Sequence, residues 1–134
     1  MLSLATEKLV AAFRVNFLGA FWTCRAFVPA MIGAGYGRIV NVSSGYARSP
    51  RDFEGPPAYS LSKAALNAFT FKLVRELPGH VKVNAMCPGW VRTRMGGPDA
   101  RGRWSKPRIR WCAWRPFPMT GPLAANFRDR HPIS

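Results

Sequence analysis

The sequence predicts an α/β fold, a parallel sheet flanked by helices, and three observations carry it. Two short apolar, β-branched runs, "GRIVNVSS" (37–44) and "VKVNAMCPG" (81–89), are each bounded by glycine or proline punctuation and read as strands. Between them lies "AYSLSKAALNAFTFKLVRELPG" (58–79), rich in good helix formers, and a crossover of that length joins parallel strands. Neither strand alternates apolar with polar residues, so both sheet faces should be covered.

Taken in order, the first element is helical from Thr6 to about Met31. Leu9, Val10, Phe13, Phe17, Phe21 and Cys24 recur at steps of three and four. Thr6 is a suitable N-cap, and Pro29 with Gly33 and Gly35 should end the helix. The strand at 37–44 follows, then a loop, "GYARSPRDFEGPP" (45–57), marked by its proline, glycine and charge content. Pro78-Gly79 closes the second helix, and the second strand ends in a Pro-Gly turn.

The chain of 134 residues is one domain at most, with an apolar fraction of 48% and a formal charge of +14. Residues 1–98 carry twelve bases and four acids, and residues 101–119 add +6 alone. The three cysteines, Cys24, Cys87 and Cys112, form no CxxC pair and no metal spacing with His80 or His131. Reduced thiols and a cytoplasmic address are the expectation. Glu7, Lys8 and Arg14 interrupt any signal-peptide core, and Arg25 breaks the longest apolar run, so no membrane partner is expected.

In open α/β sheets the chemistry sits at the carboxyl ends of the strands. Here one strand ends in Ser43-Ser44, the other in Pro88-Gly89, and "YSLSK" opens the helix between them. Tyr59 and Lys63 are four residues apart and share one helix face. A phenol is a poor acid–base group near neutrality, and a neighbouring ammonium favours the phenolate. A serine hydroxyl at the adjacent strand end would hold a substrate carbonyl oxygen near it. Ser43 reads instead as a strand-end hydroxyl bonded to backbone.

Taken together, "GRIVNVSS", "YSLSK" and "NAMCPGWVRT" resemble successive motifs of the short-chain dehydrogenase/reductase family, over about residues 7–98. The resemblance implies a partial Rossmann-like, doubly wound parallel sheet flanked by helices. It implies Tyr59 as general acid/base and Lys63 as the residue that lowers the phenol pKa and bonds the nicotinamide ribose. It further implies Ser44 orienting the substrate oxygen, Asn16 in "RVNFLGAF" holding a water in the proton relay, and Pro88, Gly89, Val91 and Thr93 lining the nicotinamide. The cofactor would be NADP or NAD, the substrate a small carbonyl or alcohol, and the intact parent a homo-oligomer through its two helices. The interval between Ser44 and Tyr59 is longer than in many members.

The family's Gly-rich turn after a first strand is absent. "GAGYG" (33–37) precedes a strand instead and reads as a helix-to-strand connection. Residues 1–98 are therefore expected to be the C-terminal half of such a domain, with the adenine half of the cofactor site not encoded and the chain alone inactive.

"RGRWSKPRIRWCAWRPFPM" (101–119) holds six bases, no acid and three of the five tryptophans. Three readings stand: a shifted reading frame, a divergent loop, or a basic module binding nucleic acid or an anionic surface. The first is adopted. One nucleotide upstream, Trp111-Cys112 gives valine, Met119-Thr120 aspartate and, with the four-fold arginine codons, Trp114-Arg115 alanine, and the remaining codons permit, without forcing, an amphipathic helix, with frame restored near Gly121-Pro122. Residues 99–122 are then expected to be irregular, and "NFRDRHPIS" within 123–134 to be the family's last strand and tail. A non-functional fragment is the remaining alternative.

Overall fold

The computed structural model describes residues 3–47, 55–100, 126–128 and 131–133. The first helical run comprises α1 (Thr6–Phe13), one π-helical turn (Arg14–Leu18) and α2 (Gly19–Gly33). Next come β1 (Gly37–Val42), a 3-10 turn (Gly45–Ala47), α3 (Pro57–Val74) and β2 (Val81–Met86). Two short strands close the chain, β3 (Asn126–Arg128) and β4 (His131–Ile133). The sheet order is β1-β2-β3-β4; β1 and β2 pair in parallel from Gly37 with Val81 to Val42 with Met86. β3 runs parallel to β2, and β4 antiparallel to β3.

The strand–helix–strand unit is as expected, but several boundaries differ. Thr6 is the first helical residue, and the cap position falls to Ala5, which makes no side-chain cap bond. Pro29 lies inside α2; it forfeits the bond to the Arg25 carbonyl without ending the helix. The helix stops at Gly33, where Gly35 takes φ +66° and the Tyr36 N–H reaches the Met31 carbonyl. β1 ends at Val42, although the Ser43 N–H still donates to the Met86 carbonyl at 2.7 Å. β2 ends at Met86, because Pro88 has no N–H and Gly89 adopts φ +78°. α3 begins at Pro57, preorganised for a first helical turn, and stops at Val74, short of Pro78. Residues 48–54 of the expected loop, and the expected irregular stretch from 101 through 122, lie outside the described residues.

The π-helical turn follows from aromatic spacing. A strict four-residue repeat drifts around an α-helix of 3.6 residues per turn, and one wider turn takes up the drift. Phe13, Phe17 and Phe21 thus stay in line: Phe17 and Phe21 meet Phe69 of α3 edge-to-face at 6.0 and 5.8 Å, and Phe13 meets Phe17 at 6.3 Å.

The core lies between the helices and one sheet face. Val81, Val83 and Ala85 of β2 are buried there, with Leu66 and Thr70 of α3. On β1, Gly37 and Asn41 share that face. A Cβ on Gly37 would fall 2.8 Å from Met31 and Val81 side-chain atoms, so α2 crosses β1 at van der Waals contact. The opposite face departs from expectation in part: Val40 and Val42 of β1 are exposed, while Asn84 of β2, paired with Val40, is buried. Arg25 does not interrupt the longest apolar run enough to exclude a span by length and composition: an 18-residue window of the Thr6–Gly33 helix reaches a mean hydropathy of 1.3.

Candidate functional site

The parallel register brings the carboxyl ends of β1 and β2 side by side, and α3 starts beside them. Lys63 extends from the second turn of α3 to the last residue of β1. Its ammonium donates to the Val42 carbonyl at 2.8 Å and lies 5.7 Å from the centroid of the Tyr59 ring. Burial lowers the Lys63 pKa below the ordinary lysine range. One of its three protons is spent on Val42, leaving two for a ligand.

Ser44 stands two residues beyond Val42, half-buried, and its hydroxyl accepts the Tyr46 N–H at 3.3 Å. Its own proton is therefore available to a substrate oxygen. Tyr59 is half-buried in the first turn of α3. Two polar ties hold α3 at this sheet end. Asn67 donates to the Ala47 carbonyl at 2.8 Å, and Asn41 on β1 donates to the Thr70 hydroxyl at 2.9 Å.

Asn16 falls in the π-helical turn, and its amide nitrogen donates to the hydroxyl of Ser62 at 3.0 Å. Sequence reasoning did not single out Ser62. The available signal was the run of small polar residues on the buried side of α3: Ser60, Ser62, Asn67 and Thr70. Ser43 needs correction. A hydroxyl bonded to backbone is expected, but Ser43 is 4% exposed and its hydroxyl has no hydrogen-bond partner among the described residues, although its N–H donates to the Met86 carbonyl.

Beyond β2, Cys87 is buried, Pro88 half-buried and Gly89 exposed. A Cβ on Gly89 would meet nothing within 4 Å, so a flat ring can approach the backbone there. Val91 is buried, and Thr93 ties its own turn: its hydroxyl accepts from the Gly96 N–H at 3.0 Å and donates to the Val91 carbonyl at 3.4 Å. The Trp90 indole N–H donates to the Gly96 carbonyl at 2.9 Å. A nicotinamide riboside fits these donors: two free ammonium protons on Lys63 for ribose hydroxyls, and the open Gly89 backbone for the ring.

A family model described as short chain dehydrogenase matches residues 1–104. Among curated proteins, the galactitol 2-dehydrogenase (L-tagatose-forming) of Cereibacter sphaeroides is 40% identical over 92 residues, 68% of this chain and 35% of that protein. The 3-oxoacyl-[acyl-carrier-protein] reductase of Mus musculus is 36% identical over 91 residues, 67% of this chain and 37% of that protein. The chain thus spans little more than a third of these relatives' length. Among solved structures, the carbonyl reductase Sniffer of D. melanogaster superposes with a TM-score of 0.70 at 28% identity, covering 77% of this chain and 47% of that one. A 3-oxoacyl-[acyl-carrier protein] reductase with bound NAD from Brucella melitensis gives 0.61 at 34% identity, covering 70% and 36%.

Proposed function

The chain belongs to the short-chain dehydrogenase family, and from that premise we propose that it carries the catalytic, nicotinamide-proximal part of an NAD- or NADP-dependent oxidoreductase acting on a small carbonyl or alcohol. The observation that carries this reading is the Lys63 ammonium, held at the end of β1 beside the Tyr59 ring. In the reductive direction Tyr59 gives its phenolic proton to the substrate oxygen as the carbonyl becomes an alcohol, and takes it back in the reverse direction. Lys63 favours the resulting phenolate by its charge, and its two free protons hold the ribose. Ser44 donates to the substrate oxygen and fixes it near the phenol. Asn16 joins the proton relay from the π-helical turn. Pro88, Gly89, Val91 and Thr93 form the wall against the nicotinamide, which when bound supplies or accepts the hydride.

Among the described residues no strand passes through a Gly-rich turn directly into a helix N-terminus, the cradle that pyrophosphate and adenine would need. Turnover by this chain alone is accordingly expected to be negligible. The groove of about 440 Å³ on the outer side of the first helical run, lined by Leu9, Val10, Phe13, Arg14, Leu18 and Trp22, suits a homo-oligomer contact of the intact enzyme. The apolarity of Thr6–Gly33 is assigned to that contact and to Phe69, and the protein to the cytoplasm.

Titration with reduced nicotinamide mononucleotide, followed by NMR, tests the site. Resonances of Lys63, Gly89, Val91 and Thr93 should move, while adenosine monophosphate leaves them in place. Equal responses to both probes, or shifts confined to other residues, contradict the assignment.

A further inference from the structure

We propose that Ser62 is a positioning residue, which transmits the place of the π-helical turn to the backbone of Tyr59; this rests on the reading of Tyr59 as the acid/base. The side chain is fully buried, at 0% exposure. Its hydroxyl accepts from the Asn16 amide at 3.0 Å and donates to the Tyr59 carbonyl at 2.8 Å.

An amide nitrogen only donates, so Ser62 meets Asn16 as an acceptor, and its single proton is left for Tyr59. Asn16 thereby sets the direction of a bond that ends on the residue bearing the phenol. Ser60, on the same helix, is a useful contrast. Its hydroxyl donates to the Pro56 and Pro57 carbonyls and reaches nothing outside its own first turn. Asn67 and Thr70 also tie α3 to neighbouring segments, but their bonds end at Ala47, Asn41 and Leu66. Among the described residues, the Ser62 bond is the side-chain bond that lands on the Tyr59 backbone.

The discriminating variant is Asn16→Asp. A carboxylate accepts and cannot donate, so it draws the Ser62 proton to itself. The contact between the π-helical turn and α3 is kept, while the Tyr59 carbonyl loses its extra bond. In the isotopically labelled 134-residue chain, the Tyr59 carbonyl carbon resonance should move upfield. Amide exchange at Lys63, whose N–H bonds the Tyr59 carbonyl within the helix, should quicken about tenfold. Ser62→Ala and Ser62→Cys should reproduce both changes, and adding Asn16→Asp to either should not enlarge them. Ser62→Thr, which keeps the hydroxyl, should restore both signals. Wild-type values in Asn16→Asp would overturn the proposal, as would acceleration spread evenly from Ser60 to Val74, which marks a brace with no special tie to Tyr59. Tyr59→Phe retains the carbonyl and must leave these signals unchanged. The fate of Ser62 is therefore read separately from that of the phenol.

Discussion

Replacing Thr70 by valine tests how α3 is seated on β1, and so how Lys63 comes to reach the strand end. Thr70 is 1% exposed; its hydroxyl accepts from Asn41 Nδ2 at 2.9 Å and donates to the Leu66 carbonyl at 2.8 Å. Valine keeps the shape, and the Leu66 carbonyl keeps its ordinary helix bond. Asn41 is 7% exposed and cannot turn to water, so its amide becomes a buried donor without a partner. That costs about 1–3 kcal/mol, offset in part by the added methyl at about 0.8 kcal/mol per buried carbon. A net loss of about 1–2 kcal/mol lowers a urea midpoint by roughly 1 M at the slope usual for small domains. The same loss should not follow in an Asn41→Val background, where no donor is stranded. The double variant should be more stable than the summed single effects by about 0.5–3 kcal/mol. Additive energies across this cycle would refute the claim that the Asn41–Thr70 bond seats α3 on β1.

Burial lowers the Lys63 pKa, so the folded chain holds that proton less tightly than the unfolded chain. Stability should therefore rise as pH climbs from the depressed value toward the ordinary lysine value of about 10.4. Lys63→Met should flatten this slope in urea melts between pH 8 and 11; an unchanged difference between variant and parent across that range would show the ammonium to be unstrained. Gly37→Ala drives a methyl against Met31 and Val81 and should cost about 1–3 kcal/mol by thermal melting. A neutral result there would mean that α2 does not cross β1 at contact distance.

The strand–helix–strand unit was legible because its signals are local: glycine before β1, Pro88-Gly89 after β2, and a helix-forming run between. The partnership of Tyr59 and Lys63 was legible for the same reason, being one helix turn in length. What escaped depends on residues far apart in sequence. The π-helical turn answers to Phe69, which Phe17 and Phe21 must both reach across the helix pair. Pro29 looks like a stop only if the following residues have no other reason to remain helical; Met31, packed against Gly37, supplies one. Ser62 reads as an ordinary helix serine until Asn16 is brought against it. Ser43 was assigned a backbone partner from its place at a strand end, yet the sheet bonds its N–H and leaves its hydroxyl buried alone. Strands read as lacking alternation imply two covered faces, yet β2 opens Val81-Lys82-Val83-Asn84, and exposure of Val40 and Val42 depends on what packs against the far side of the sheet.

The most direct test of the catalytic claim is turnover in a chimera that joins this chain to the nucleotide-binding half of a relative, with the relative's own segment in place of residues 101–119. Carbonyl reduction, followed by loss of reduced-nicotinamide absorbance, should be present in the chimera. Tyr59→Phe should lower it by a factor of about 10²–10⁴, the usual worth of a positioned general acid, with little change in cofactor affinity. Undiminished turnover in Tyr59→Phe would contradict the account, because the proton would then reach the substrate oxygen from another group.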